Sequence, residues 1–141
     1  MVTRLPEISA KVGLKIQFYH LDPMEIVWHG NYPRFLEKAR CALLDHIGYN
    51  YEEMRKSGYA WPIVDMRIKY VRSAYFKQDI SVTAMLKEYE NRLIIDYRIT
   101  DDETGDVITK ARTTQVALHM ATKEMMFESP DILIQKVEAF R

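Results

Sequence analysis

The chain has 141 residues, 20 Lys plus Arg against 20 Asp plus Glu, a single cysteine, and 48% apolar residues. That length suits one domain, residues 1–141, with a proper hydrophobic core. Zero net charge gives no general attraction to nucleic acid or membrane. One cysteine forbids a disulfide within the chain, and no window approaches the ~18 apolar residues of a membrane span. The opening stretch, MVTRLPEISAKVG, lacks the apolar run of a secretory leader, so the expected compartment is the reducing cytoplasm.

In chain order, residues 11–19 alternate through Val12, Leu14, Ile16 and Phe18, which predicts a strand. Asp22, Pro23 and Glu25 read as an N-cap, a first-turn proline and an acidic N3 residue, which predicts a helical turn over 23–27. Gly30, Asn31, Tyr32 and Pro33 form a second helix start. A helical period follows over 33–47 through Phe35, Leu36, Ala39, Ala42, Leu43 and Ile47, with Gly48 as C-cap. Residues 51–56 predict a short second helix ending near Gly58. From Trp61 the period changes to two. Strands are expected over 63–71, then through Ile80, Val82, Ala84 and Leu86, and then through Leu93, Ile95, Tyr97 and Ile99. A turn at 101–105 leads to a long strand over 107–120, and 123–127 extend the sheet. Ser129-Pro130-Asp131 starts a C-terminal helix carrying Ile132, Leu133, Val137 and Phe140.

One long helix cannot cover both faces of such a sheet. The simplest α+β solution wraps an antiparallel sheet around the helix. The outer face and the sheet edges then invite a second copy, so at least a homodimer is expected.

The chemistry concentrates in residues 18–40, FYHLDPMEIVWHGNYPRFLEKAR. His29 comes seven positions after Asp22, so a carboxylate lies close in sequence to an open helix N-terminus. A carboxylate attacks or activates water, and free backbone N–H groups hold a developing oxyanion. That pairing serves ester or thioester hydrolysis. Helix capping by Asp22 is the competing structural reading. At His29 the backbone N–H is the stronger candidate, ahead of the ring. The spacing of His20, Asp22 and His29 matches no metal-ligand pattern, so no metal site is expected. His46 and His119 read as structural, and the absence of G-x-S-x-G removes support for a serine triad. Cys41 reads as a core or interface residue. Tyr59, Trp61 and Tyr70 read as core, and Met54, Met66, Met85, Met120, Met125 and Met126 as gap-fillers. Arg67, Lys69, Arg72 and Lys77 form a basic cluster that suits either a solvated sheet face or phosphate binding.

Two segments carry a family resemblance: 18–40, quoted above, and 68–82, IKYVRSAYFKQDISV. Together they resemble the 4-hydroxybenzoyl-CoA thioesterase group of acyl-CoA thioesterases, over about Val12 to about Phe127. The resemblance implies a hotdog fold, with an antiparallel sheet of about five or six strands wrapped around a long central helix. It implies acyl-CoA thioester hydrolysis without a cofactor, in a homodimer or homotetramer. Asp22 aligns with the family's nucleophile or general base, and His29 with its backbone oxyanion donor and an assisting histidine. Tyr19, Tyr32 and Arg72 become substrate-binding candidates. Two departures stand out. His20 replaces an acidic residue common two positions before the catalytic carboxylate, and Met24-Glu25 replaces a pair ending in glycine. Two alternatives stay open: an acyl-carrier-protein thioesterase, and a non-catalytic acyl-CoA binding module.

Overall fold

A computed structural model describes residues 7–140. The first six residues, part of the stretch read above for a leader, lie outside the described residues. The elements are β1 (Ser9–Lys15), α1 (Tyr32–His46), α2 (Tyr51–Ser57), β2 (Tyr59–Ala60) and β3 (Ile63–Tyr70). They continue with β4 (Asp79–Glu88), β5 (Leu93–Asp101), β6 (Val107–Gln115), β7 (Leu118–His119) and α3 (Asp131–Phe140). The main sheet is antiparallel, in the order β1-β4-β5-β6-β3, and β2 and β7 form a separate two-stranded ribbon.

Period-two alternation sends Ile80, Val82 and Ala84 of β4 and Leu93, Ile95, Tyr97 and Ile99 of β5 to one buried face. Phe35, Leu36, Ala39 and Leu43 supply the buried stripe of α1, which packs against β1, β4 and β5. Ala39 and Ala84 are fully buried and small, which lets helix and sheet approach closely. Each large aliphatic side chain buried here contributes about 1.5–3 kcal/mol. Tyr97 reaches this interior with its hydroxyl 2.7 Å from Thr113 Oγ1, and burial pushes its pKa up to about 12.

Several expected boundaries move, each for a physical reason. β1 stops at Lys15, because Ile16 exchanges backbone hydrogen bonds with the 77–78 loop and Phe18–His20 winds into a 3-10 turn. The strand expected over 107–120 ends at Gln115. There the neighbouring chain reaches Pro62, whose nitrogen carries no hydrogen to continue the ladder. Leu118 and His119 pair instead with β2, and 123–127 fold back on them through the bridge from Leu118 to Met125 and the backbone bonds from His119 to Glu124 and from Met126 to Ala117, without joining the main sheet. Tyr70, Met66, Met120 and Met125, read as core or gap-filling, are exposed, while Trp61 and Met54 are buried. Cys41 is exposed at the mouth of a cavity, with its thiol raised chiefly by partial burial.

Candidate active site

Residues 23–27 form no helical turn. The N–H of Glu25 donates to the carbonyl of Asp22 at 2.9 Å, and the N–H of Asp22 donates to the carbonyl of Ile26 at 2.8 Å. Leu21 bridges Val27, and the N–H of Trp28 donates to the carbonyl of His20 at 2.9 Å. The segment is a tight β-hairpin with Asp22 at the foot of its turn and Pro23 in the second turn position. Asp22 Oδ1 accepts the N–H of Met24 at 2.8 Å, an Asx turn in place of the expected N-cap. Five residues are too few to sustain a helix, and Ile26 and Val27 gain strand partners in Tyr75 and Leu21 respectively. Asp22 Oδ2 accepts no hydrogen bond from any described residue.

Glu25 occupies the left-handed region at φ 65°, in the place where a three-residue hairpin loop favours glycine. A side chain there costs about 1–2 kcal/mol. Glu25→Gly is therefore expected to raise the denaturant midpoint, by about 0.5–1 kcal/mol after glycine's larger unfolded-state entropy is set against the relief. A loss of stability in chemical denaturation would refute the strain at this position.

The second half of the site is the start of α1. A 3-10 turn, His29–Asn31, feeds the helix, with Pro33 in its first turn. The backbone N–H groups of His29 and Gly30 donate to no described residue. They are the open donors a helix start leaves behind. Asn31 is buried, and its Nδ2 donates to the carbonyl of His20 at 2.8 Å, tying helix start to hairpin. The indole of Trp28 lies across Gly30, where any Cβ would overlap the ring. A side chain there would displace the half-exposed indole from the helix start.

His20 sits between the halves. Its Nδ1 accepts the N–H of Gln17 at 2.8 Å, so the neutral ring carries its proton on Nε2. Burial, followed by the charges of Lys38 and Arg34, holds its pKa below the usual 6.5. Folding thus favours the neutral ring, and the unfolded chain takes up a proton first as pH falls through about 6.5. Stability is expected to drop on acidification in that range, and His20→Gln flattens this part of the profile. An unchanged pH profile in thermal melts would show that His20 is not the responsible group.

Asp22 lies on this hairpin, and Tyr19 and His29 lie on its two flanks. Asp22 faces Ile26, and three residues of chain, at most ~10 Å, lead from Ile26 to His29. Tyr19 is exposed, with its ring edge-on to His20 at 4.5 Å. A backbone bond from Val27 to Ala74, together with the bridge from Ile26 to Tyr75, joins the hairpin to the 71–78 loop. That loop is pinned by Gln78, whose Nε2 donates to buried Asp101 at 2.7 Å and whose Oε1 accepts the N–H of Tyr75. Arg72 lies on this loop and pairs with Asp106 at 3.1 Å. Tyr32 is in the core at 2% exposure, its hydroxyl accepting the N–H of Ala74. It reaches the site only through Tyr70, whose hydroxyl lies 3.4 Å from the carbonyl of His29.

The sequence reading missed the rim. Phe18, Met24, Trp28, Tyr75 and Phe76 are all exposed around the hairpin, an apolar surface of the kind that marks a binding or assembly site. The only sequence signal was the density of aromatics in FYH, WHG and AYF. A separate cavity of about 750 Å³, lined by Leu44, Met54, Trp61, Gln115 and Leu118, opens between α1, α2 and the two-stranded ribbon. Among the described residues, no cluster of His, Cys, Asp or Glu has the geometry to hold a metal. No helix there is long and apolar enough to cross a membrane.

Comparison with known proteins places the fold. The sequence profile of the Thioesterase-like superfamily matches residues 16–137. The long-chain acyl-CoA thioesterase FadM of Escherichia coli is 27% identical over 114 residues, 80% of this chain and 86% of that protein. The DHNA-CoA thioesterase of Staphylococcus aureus superposes with a TM-score of 0.79 at 23% identity, covering 93% of this chain and 91% of the other. The 1,4-dihydroxy-2-naphthoyl-CoA thioesterase Slr0204 of Synechocystis gives 0.80 at 16% identity, with 94% of each chain covered. The sheet wrapped around α1 is the hotdog fold.

Proposed function

The chain belongs to the Thioesterase-like superfamily, and from that premise we propose that it hydrolyses an acyl-CoA to the free acid and CoA. One observation carries the reading. A carboxylate with an uncommitted oxygen, Asp22 Oδ2, sits on the hairpin that leads into the unpaired N–H groups of His29 and Gly30. The thioester carbonyl oxygen takes its place at the His29 N–H. Asp22 then attacks the carbonyl carbon, or removes a proton from a water that attacks it. The tetrahedral oxyanion is held by the backbone donor and the positive end of α1. Collapse expels the CoA thiolate. If Asp22 attacked, water cleaves the resulting anhydride. His20, neutral with its proton on Nε2, holds the hairpin to the helix start through its backbone carbonyl, which accepts from Trp28 and Asn31.

The active form in this reading is a two-fold dimer. β3 is an edge strand, paired only with β6, and it exposes Val64 and Met66. Antiparallel pairing of two β3 strands about their common centre would set the Tyr70 end, beside His29, against the Ile63 end of the second copy. That brings the apolar cavity near Trp61 of one protomer toward the hairpin of the other. Its volume suits the acyl group. The test is a panel of alkyl and aryl acyl-CoA thioesters read by free-thiol release, with mass by light scattering. Hydrolysis by a dimer supports the reading. No turnover across the panel refutes the activity, and full turnover by a monomer refutes the shared site.

A further inference from the structure

The outer face of the sheet carries a row of cations that folding alone does not explain. Lys69 of β3 lies directly opposite Lys110 of β6, and Lys110 lies opposite Arg98 of β5. All three are exposed, and none has a carboxylate within ion-pair distance among the described residues. In the adjacent row Arg67 lies opposite Arg112, and each takes the nearby acid, Asp65 and Asp96 respectively. The local carboxylates are thus already used.

Like charges directly opposite on neighbouring strands, about 4.8 Å apart, destabilise a sheet. A chain with 20 cations and 20 anions had the means to balance them and did not. The five basic side chains rim a concavity of about 370 Å³. That volume suits a cluster of phosphates. Lys69 immediately precedes Tyr70, whose hydroxyl reaches the carbonyl of His29. The row therefore begins at the end of β3 where Tyr70 reaches His29, on the opposite face of the sheet from that contact, and leads away across the outer face.

Resting on the acyl-CoA reading, we propose that Lys69, Lys110 and Arg98 bind the phosphates at the nucleotide end of coenzyme A, on the outer face of the sheet. The pantetheine arm then runs from the thioester past the end of β3. The site recognises the leaving group and takes no part in the chemistry.

The test compares an acyl-CoA with the same acyl-pantetheine, which lacks all three phosphates, in wild type and in Lys110→Gln and Lys110→Glu. For acyl-CoA, KM rises about tenfold in Lys110→Gln and further in Lys110→Glu. For the pantetheine thioester, KM holds. The thermal midpoint of Lys110→Gln holds or rises, since a like-charge contact is lost. Equal KM changes for both substrates, or for neither, overturn the proposal while leaving the thioesterase reading intact. If wild type cleaves no thioester, that reading fails on its own. Calorimetric titration with coenzyme A then decides the phosphate site: binding lost in Lys110→Glu upholds it, and no binding by wild type overturns it.

Discussion

Asp22→Asn is expected to leave the protein folded and to lower turnover by at least about 10²-fold, and by about 10⁴-fold if the carboxylate attacks directly. The reasoning rests on which oxygen does what. Oδ1 is engaged by the N–H of Met24 and shapes the turn. An asparagine carbonyl accepts that bond equally well, so the hairpin survives and the denaturant midpoint stays within about 0.5 kcal/mol. The lost property is the charge on the second oxygen, the one without a partner. Asp22→Ala removes both and adds a structural loss, which makes the asparagine variant the cleaner reporter. The size of the effect separates the two routes in kind. Loss of a base leaves slow attack by neutral water, whereas loss of a nucleophile removes the covalent path. Trapping an acyl-enzyme in wild type distinguishes them further.

The second large effect concerns an N–H group. Trp28, at φ −62° and ψ 133°, already has the extended backbone that precedes a proline. His29 opens a helical turn, where proline is tolerated. His29→Pro therefore deletes one hydrogen-bond donor with little strain. Loss of one oxyanion donor costs about 2.7–4 kcal/mol of barrier, or about 10²–10³ in kcat. His29→Ala removes the exposed ring and keeps the N–H. The expected order is wild type, then His29→Ala close behind, then His29→Pro far below. The reverse order, with alanine as damaging as proline, would transfer the role from the backbone to the imidazole.

The long helix, its glycine stop and the four antiparallel strands that follow were readable from the chain. Their signals are local: periods of 3.6 and two, and glycines in left-handed backbone at Gly48 and Gly58. The hairpin at 20–28 was misread because Asp-Pro-x-Glu is a start signal for a helix and an equally good signal for an Asx turn. Contacts from outside the segment decide between them, here Ala74 to Val27 and Tyr75 to Ile26. Tyr32, a substrate-binding candidate from the sequence, continues the stripe of Phe35, Leu36 and Ala39, and that period places it inside. Glu25 shows the opposite case. The missing glycine was noticed in the sequence, and the backbone adopts the glycine conformation anyway. The exposed rim of Met24, Trp28 and Phe76 depends on how hairpin and loop meet in space, which no window of sequence contains.

The most direct test of a shared role for Asp22 and the His29 N–H is kcat for the double variant Asp22→Asn, His29→Pro. Two groups acting on one carbonyl are strongly non-additive, so the double variant should turn over little more slowly than the worse single variant. Losses that multiply in full would mean that the two groups serve separate steps, and would contradict the mechanism.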